Sequence, residues 1–298
     1  MRALAEALRR IAEEHGARFR LGTAVRSIEV SHGRASAIIL DDGERLSADA
    51  IVVNADPATM AGGYLGDAVR KSVPNQIGAK RSLSAMVWLA HARTSDFPLS
   101  RHNVFFSPDY PREFRDIAGG GSPRDPSVYV CAQDRSAGES DHAKGRERLQ
   151  IIVNAPPNGD SHSYTIEETE QCTLAMSRSL RRCGLELEDP FPHRLLTPNE
   201  FEAFSPGTGG AIYGRASHGW AASFLRQGTR TRIPGLYCAG GSTHPGAGVP
   251  MAALSGQLAA RTVMQDRAST RRFHPVATAG GTSTRRATPT VPMEGNTA

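Results

Sequence analysis

The sequence predicts an α/β protein whose middle part is an α+β unit, and three observations support this fold class. A continuous apolar run at 50–55 is typical of a strand covered on both faces, as in a parallel sheet. Strand-like segments between 84 and 155 precede one long helical pattern. Near the C-terminus a strand runs into a glycine-rich loop and then a helix. Together these features predict a parallel sheet with a glycine-lined ligand turn, beside a separate α+β unit.

The opening 60 residues read as a helix, antiparallel strands and then the buried strand. An amphipathic pattern predicts a helix over 2–15, and Gly16 is placed to end it. Alternating apolar residues separated by turn residues then predict strands around 19–21, 25–30 and 37–39. Asp56 and Pro57 end the buried strand at 50–55.

The middle of the chain predicts one sheet and one clear helix. Four segments have the pattern of longer strands: 84–90, 103–106, 127–132 and 149–155. Thr165 and Glu168 form a capping-box pattern that begins a helix, and Gly184 ends it. We therefore expect a separate α+β unit at roughly 77–200.

Composition and charge exclude several classes of protein. The 298 residues are 39% hydrophobic and 22% charged, as in a folded globular protein, and no apolar run approaches the roughly 20 residues of a membrane-spanning helix. The net charge of +5 lies mostly in 267–298, where five arginines face one glutamate in a low-complexity segment. We expect a disordered basic tail, either merely solvated or weakly attracted to an anionic membrane, and no nucleic-acid partner. The four cysteines have no CxxC or paired spacing, so we expect no metal site and no disulfide framework.

The segment after the last strand is the strongest indication of a ligand site. A strand that ends at Gly240 and Gly241 lets a ligand touch the backbone, because no Cβ holds it away. The helix that follows Pro250 points free N–H groups and its positive end at that ligand. Such an end suits a phosphate, or a ring system that becomes anionic on reduction, while an ordinary tight turn is the alternative. Neither GxGxxG nor a P-loop lysine occurs in the sequence.

Other chemistry has less support in the sequence. Ser217 and Ser242 both miss the pattern of a nucleophile elbow. His218 and His244 suit acid–base or ligand roles, but a hydrogen-bonded structural role is the alternative for each. Trp220 and the aromatic residue four positions later suit either packing or the wall of an apolar pocket.

The residues of 233–250, IPGLYCAGGSTHPGAGVP, resemble the C-terminal flavin-site signature of the FAD-dependent carotenoid desaturases of the phytoene-desaturase type. The start of the chain through 52–57 is similar to the middle of that family, and the resemblance covers roughly 1–265. Four features resemble one branch, the hydroxycarotenoid 3,4-desaturases or methoxyneurosporene dehydrogenases of purple photosynthetic bacteria. They are HNVFF at 102–106, VYVCAQDR at 128–135, GRASHGW at 214–220, and Met251.

The resemblance implies the C-terminal portion of a two-domain, Rossmann-like FAD-binding protein that lacks the N-terminal GxGxxG βαβ unit. It implies four parts: the remainder of the FAD-binding domain, a substrate-binding α+β domain, a flavin-contacting segment and the tail, at 1–76, 77–204, 205–266 and 267–298. A misassigned start, a truncated or split gene, and a fragment all fit this departure from the family. We therefore expect the chain alone to bind FAD poorly or not at all and to be inactive, and a missing FAD-binding half to be its partner.

The family's chemistry implies desaturation of an acyclic carotenoid, here 3,4-desaturation of a 1-hydroxy or methoxy carotenoid, with hydride transfer to the flavin. A phytoene or diapophytoene desaturase, an isomerase of the same fold, and a non-catalytic chain are the alternatives. An amine-oxidase-like flavoprotein is disfavoured by residues 244–248. A lipid-dissolved substrate further implies peripheral association with the cytoplasmic side of the inner or photosynthetic membrane.

The resemblance also assigns roles to single residues. Those expected to contact FAD are Val25, Gly240, Gly241, Ser242, Gly248, Val249, Pro250 and Met251. His244 is the candidate proton acceptor beside the flavin loop. The candidates for the wall of the substrate tunnel, with packing as their alternative, are Trp88, Phe105, Phe106, Trp220 and Phe224.

Overall fold

A computed structural model describes residues 2–74, 80–95, 97–135, 145–188, 190–191, 193–216 and 226–272. In these ranges the strands form a three-stranded, a two-stranded and a five-stranded sheet, accompanied by α-helices. The predicted mixed α/β fold class is confirmed.

The N-terminal part forms a helix and a small antiparallel sheet. Helix α1 (Arg2–Glu14) ends before Gly16, whose φ of +88° suits only glycine. The three strands in their order in the sheet are β1 (Val25–Ser31), β2 (Arg34–Leu40) and β3 (Arg45–Ser47). The strand predicted at 19–21 is wrong: Phe19 and Leu21 are 49% and 84% exposed, and no described strand pairs with them.

Two short parallel strands join distant parts of the chain. Strand β4 (Ile51–Val53) pairs in parallel with β10 (Leu236–Cys238), and Ala239 N–H donates to Val53 O at 3.0 Å. Helix α2 (Pro57–Ala61) and a 3₁₀ helix (Asp67–Ser72) follow β4 and pack with it. This pairing brings the C-terminal segment into the same core as the first 76 residues.

The middle of the chain forms a five-stranded antiparallel sheet in the order β6-β7-β8-β5-β9. Its strands are β5 (Ser84–Ala92), β6 (His102–Phe105), β7 (Val128–Ala132), β8 (Glu147–Ala155) and β9 (His193–Leu196). The first four strands are confirmed close to their predicted positions, whereas the short β9 was not predicted from the sequence.

One face of this sheet is covered and the other is open. Helix α4 (Ile166–Arg182), which begins at the predicted Thr165–Glu168 capping box, packs on the covered face. Because side chains alternate along a strand, the neighbours of the covered residues point the other way. We call this second surface the open face. Its residues in β5 to β8 include Val87, Leu89, His102, Val104, Tyr129, Cys131, Gln150 and Ile152.

Three further helices complete the described structure: α3 (Tyr110–Ala118), α5 (Pro198–Phe204) and α6 (Val249–Arg272). The predicted boundary of the disordered tail at 267 is wrong, because α6 continues through Arg272 and Arg267 contacts Asp49 Oδ2 at 3.1 Å. Residues 273–298 lie outside the described part. Among the helices that the structure describes, none is long and apolar enough to cross a membrane.

Candidate functional site

The glycine-rich loop between β10 and α6 has the backbone that its sequence predicts. Gly240, Gly246 and Gly248 have φ values of +122°, +136° and +107°, which side-chain-bearing residues rarely adopt. A Cβ on Gly240 would lie 2.3 Å from Asn54 Oδ1, so the side chain of Asn54 occupies the space next to this glycine. A Cβ on Gly248 would meet nothing within 4 Å. Gly248 therefore faces open space, where a ligand could approach the backbone.

A buried hydroxyl network holds this loop against α6. Thr243 Oγ1 donates to Gly240 O at 2.8 Å and lies 2.8 Å from Ser255 Oγ. Gly240 N–H donates to the same Ser255 oxygen at 3.1 Å, and both hydroxyl side chains are buried. The Gly240 N–H is therefore bonded to protein. Sequence reasoning missed Thr243 and Ser255, because their contact depends on how the loop folds back on the helix.

The first turn of α6 presents free N–H groups next to Gly248. The Gly248 carbonyl accepts a hydrogen bond from Ala252 N at 2.8 Å, so the helix begins immediately after this glycine. The first N–H groups of a helix have no acceptor within it, and Pro250 has no N–H. Val249 and Met251 are 53% and 39% exposed. The positive end of α6 is thus open to a ligand with negative charge.

A cavity of about 910 Å³ lies between the glycine loop and the open face of the five-stranded sheet. Its two sides are formed by the sheet and by the loop. The lining residues include Val87, Gln150 and Ile152 on the sheet, and Gly246, Ala247 and Gly248 on the loop. Phe201 of α5 and residues 211–216 flank it. A floor of apolar and amide side chains and a polar backbone loop thus face each other across one space.

A buried arginine braces this cavity. Arg226 is 9% exposed, and its guanidinium donates to Tyr213 O at 3.0 Å, to Arg215 O at 3.1 Å and to Gly241 O at 3.4 Å. Burial lowers the pKa of Arg226, while the negative charge of Asp56 acts in the opposite direction. The side chain therefore ties the 213–215 segment to the glycine loop. No periodicity or motif in the sequence singled it out.

Ser242 lies at a junction of three segments. A Cβ on Gly214 would come within 2.7 Å of Asp56 Oδ2 and 2.9 Å of Ser242 Oγ. The end of β4, the 214 region and the glycine loop therefore meet at one point, where only glycine fits between the two side chains. Gly241 is half-buried in the same loop and accepts from Arg226.

His244 and Val25 occupy less direct positions. His244 is half-buried, and its backbone N–H donates to Gln227 O at 2.8 Å. In the part of the chain that the structure describes, the cavity lining begins at the next residue, Pro245. Val25 begins β1 and pairs with Leu40. The roles of His244 as proton acceptor and of Val25 as adenine contact stay predictions.

Trp88 and Phe105 are packing residues, not walls of the cavity. Trp88 is fully buried on the covered face, and its Nε1 donates to Thr173 Oγ1 of α4 at 3.1 Å. Phe105 is buried in the same core, with its ring 5.5 Å from that of Phe97. The prediction that these two residues line the tunnel is wrong, because each lies one position along its strand from a residue of the open face. Their neighbours, Val87 and Val104, are the side chains on the open face.

The other proposed wall residues divide into two groups. Phe106 follows β6 and is 66% exposed, with its ring 6.4 Å from that of Tyr110. Trp220 and Phe224 lie outside the described residues, as does His218. Within the described ranges, no group of three or more His, Cys, Asp or Glu side chains is arranged to hold a metal ion.

The open face carries one close pair of titratable side chains. Tyr129 Oη and His102 Nδ1 are 2.7 Å apart, and their rings lie nearly parallel. Burial raises the pKa of Tyr129, and the neighbouring Cys131 adds to the rise. The tyrosine is therefore a neutral hydrogen-bonding group at physiological pH.

Comparison with known proteins agrees with these features. Residues 1–84 match the family described as flavin containing amine oxidoreductase. A hydroxyneurosporene desaturase from Rubrivivax gelatinosus is 48% identical over 290 residues, covering 97% of this chain and 55% of that protein. The resemblance to the carotenoid desaturases is confirmed. A second hydroxyneurosporene desaturase, from Cereibacter sphaeroides, is 46% identical over 271 residues, covering 90% of this chain and 54% of that protein.

A 1-hydroxycarotenoid 3,4-desaturase from Flavobacterium sp. is 28% identical over 265 residues, covering 87% of this chain and 53% of that protein. Among solved structures, an oxidoreductase from Methanosarcina mazei has a TM-score of 0.49 and 18% identity, covering 87% of this chain and 53% of that one. The chain spans about half the length of the curated relatives that it matches.

Proposed function

We propose that this chain forms the substrate-binding and flavin-contacting portion of an FAD-dependent enzyme that desaturates an acyclic 1-hydroxy or methoxy carotenoid. The single observation that carries the proposal is the cavity between the glycine loop and the open face of the sheet. The names of the relatives, hydroxyneurosporene desaturase and 1-hydroxycarotenoid 3,4-desaturase, support the class of substrate.

The residues of the loop fit a flavin. The open space in front of Gly248 admits a flat ring, and the first turn of α6 offers N–H groups to its edge. Gly248, Val249, Pro250 and Met251 would hold this edge, with Gly241 and Ser242 next to them on the loop. When bound, FAD would supply the acceptor for hydride.

The chain's own residues would position the reactants and support the developing charge. The positive end of α6 favours negative charge on a group in front of it. Arg226, Thr243 and Ser255 fix the loop through buried hydrogen bonds, so its geometry is set before a ligand arrives. The apolar side chains Val87 and Ile152 would exclude water and align a polyene along the sheet. His244 is retained as the proposed proton acceptor.

We further propose that additional polypeptide completes the flavin site, and that the chain alone binds FAD poorly. Apolar side chains on one stripe of α1, Leu4, Leu8 and Ile11, are 49%, 58% and 53% exposed. Leu254 on α6 is 41% exposed, and the parallel sheet has only two described strands. Parallel sheets are normally covered on both faces. These exposed surfaces therefore support additional polypeptide that would cover them and complete the FAD-binding domain.

The aromatic group at the end of β6 supports peripheral membrane binding as a second part of the proposal. Phe106, Tyr110 and Phe114 are 66%, 49% and 36% exposed, and their rings contact edge to face at 6.4 and 4.9 Å. Arg112 and Arg115 belong to the same helix, α3. Exposed aromatics next to basic residues suit the boundary of an anionic bilayer. Co-sedimentation of the complete enzyme with anionic liposomes tests this point, and an enzyme that stays wholly in the supernatant would refute it.

The catalytic proposal is tested in cells that make a carotenoid. The 298-residue chain is co-expressed with the portion of the Rubrivivax enzyme that it does not match, and the cells are supplied with either hydroxyneurosporene or phytoene. We expect a product with longer-wavelength absorption from hydroxyneurosporene only. A product from phytoene alone would favour the phytoene desaturase alternative, and no product from either would favour a non-catalytic chain.

A further inference from the structure

Two neighbouring rows of side chains cross the open face, and they differ in chemistry. The first, which we call the apolar row, follows the register of β5, β8, β7 and β6 and consists of Val87, Ile152, Tyr129 and Val104. The second, which we call the polar row, lies two residues further along each strand and runs from Leu89 on β5 through the polar side chains Gln150, Cys131 and His102. A substrate lying along the apolar row would therefore have hydrogen-bonding groups along one side.

Both rows are continuous with the cavity beside the glycine loop. Val87, Ile152 and Gln150 line that cavity. Tyr129 lies directly opposite Ile152 on the next strand, and Cys131 lies directly opposite Gln150. Side chains in such positions have Cβ atoms only about 4.5–5.5 Å apart. The sheet surface that floors the cavity at β5 and β8 thus continues beyond the cavity to the edge strand β6, where Val104 is 52% exposed.

The Tyr129 hydroxyl is the one polar group in the apolar row, and it contacts the end of the polar row. Its oxygen lies 2.7 Å from His102 Nδ1. A phenol can donate one hydrogen bond and accept others, and imidazole has a second ring nitrogen. The pair therefore keeps capacity both to donate and to accept, which matches the needs of an alcohol.

We propose that the Tyr129–His102 pair binds the hydroxyl group of a hydroxylated acyclic carotenoid whose chain lies along the apolar row. This inference rests on the proposed function and names the residues that would distinguish a hydroxylated substrate from a hydrocarbon. A hydrocarbon covering the pair would remove water from two polar groups without replacing its hydrogen bonds. A site built for a hydroxyl therefore disfavours the analogue that lacks it.

The test measures binding of two carotenoids that differ in the hydroxyl group. The full chain, co-expressed with the portion of the Rubrivivax enzyme that it does not match, is titrated with hydroxyneurosporene and with neurosporene in detergent micelles. Tyr129→Phe removes only the phenolic oxygen, and His102→Leu removes the ring nitrogens. Val104→Ala is the matched control, because it changes the apolar row at the same edge without touching a polar group.

We expect wild type to prefer hydroxyneurosporene by roughly tenfold, the scale of one or two neutral hydrogen bonds. Tyr129→Phe and His102→Leu should each reduce the preference to about twofold without weakening the binding of neurosporene, because each change removes a polar group that the hydrocarbon leaves unpaired. Val104→Ala should weaken the binding of both carotenoids by the same factor. Neurosporene binding that is no weaker than in wild type shows in the same titration that each variant is folded.

Four results would overturn the inference. Variants that keep the wild-type preference would show that the hydroxyl binds elsewhere, and the proposed function would stand. Variants that lose both carotenoids equally would show a structural role for the pair. A wild-type assembly that binds both carotenoids with no preference would refute this inference only. A wild-type assembly that binds neither carotenoid would refute the proposed function as well.

Discussion

At the scale of single residues, an ion pair links the outer strands of the small antiparallel sheet. Arg45 on β3 donates to both carboxylate oxygens of Glu29 on β1, at 2.9 and 2.7 Å, so it spans the intervening strand. Ser31 and Ser36 also donate to Glu29 at 3.3 Å. The hydrogen bonds from Arg45 lower the pKa of Glu29 from 4.5 to about 2.

This shift predicts a specific dependence of stability on pH. A lowered pKa in the folded state means that ionised Glu29 adds stability above pH 4.5, and that this contribution disappears as the pH falls toward 2. We expect Glu29→Gln to lower the urea midpoint at pH 7, and the difference from wild type to shrink between pH 4.5 and 2. Glu170→Gln, at an exposed site on α4, is the control. A Glu29→Gln difference that is constant over this range would contradict the ion-pair account.

The positions of the strands were easier to predict from the sequence than the faces on which their side chains lie. The sequence shows that residues 84–90 form a strand, but both Val87 and Trp88 are apolar and either could face a ligand. Only the position of α4, which bonds Trp88 through Thr173, settles which face is covered. For the same reason Arg226 could not be found, because its carbonyl partners Tyr213, Arg215 and Gly241 come together only in the fold.

At the scale of elements, local capping signals specify α4. Thr165 Oγ1 accepts from Glu168 N at 3.2 Å, and Glu168 Oε2 accepts from Thr165 N at 2.8 Å. Four residues supply both halves of this capping box, so the sequence alone predicts where the helix begins.

We expect Thr165→Ala to lower the free energy of unfolding by about 1 kcal/mol, the usual cost of removing an N-cap hydroxyl. Thr169→Ala is the matched control, because its hydroxyl bonds a carbonyl within the same helix, Ile166 O, at 2.7 Å. Urea denaturation of both variants gives the comparison. Equal losses in the two would mean that the capping box adds nothing.

Helix α3 shows why other elements escape prediction. It has nine residues, begins at Tyr110 after the N-cap residue Asp109, and has a proline in its first turn. Its buried Glu113 accepts from Ser127 N at 3.0 Å and from Asn154 Nδ2 at 3.1 Å. These partners are 14 and 41 residues away in the sequence. Tertiary contacts therefore support this helix in addition to its local Asp109 cap.

At the scale of the whole molecule, the glycine loop depends on long-range pairing. Ile51–Val53 and Leu236–Cys238 form the parallel strands from which the loop starts. The sequence predicts that both strands are buried. It does not predict that they pair, because the strands of the five-stranded sheet lie between them in the chain. The result is that the glycine loop faces the open face of the five-stranded sheet across one cavity.

FAD content tests this account most directly. The full chain is co-expressed with the portion of the Rubrivivax enzyme that it does not match, and FAD per assembly is measured for wild type, Gly248→Val and Gly256→Val. Both glycines are exposed, and a Cβ on either meets nothing within 4 Å of protein, but only Gly248 has a positive φ and faces the cavity.

We expect about one FAD in wild type and Gly256→Val, and at least a tenfold weaker retention in Gly248→Val, because a side chain there both strains the backbone and occupies the ring's approach. Circular dichroism confirms that the variants are folded. Equal FAD content in all three assemblies would show that the flavin does not lie against this loop.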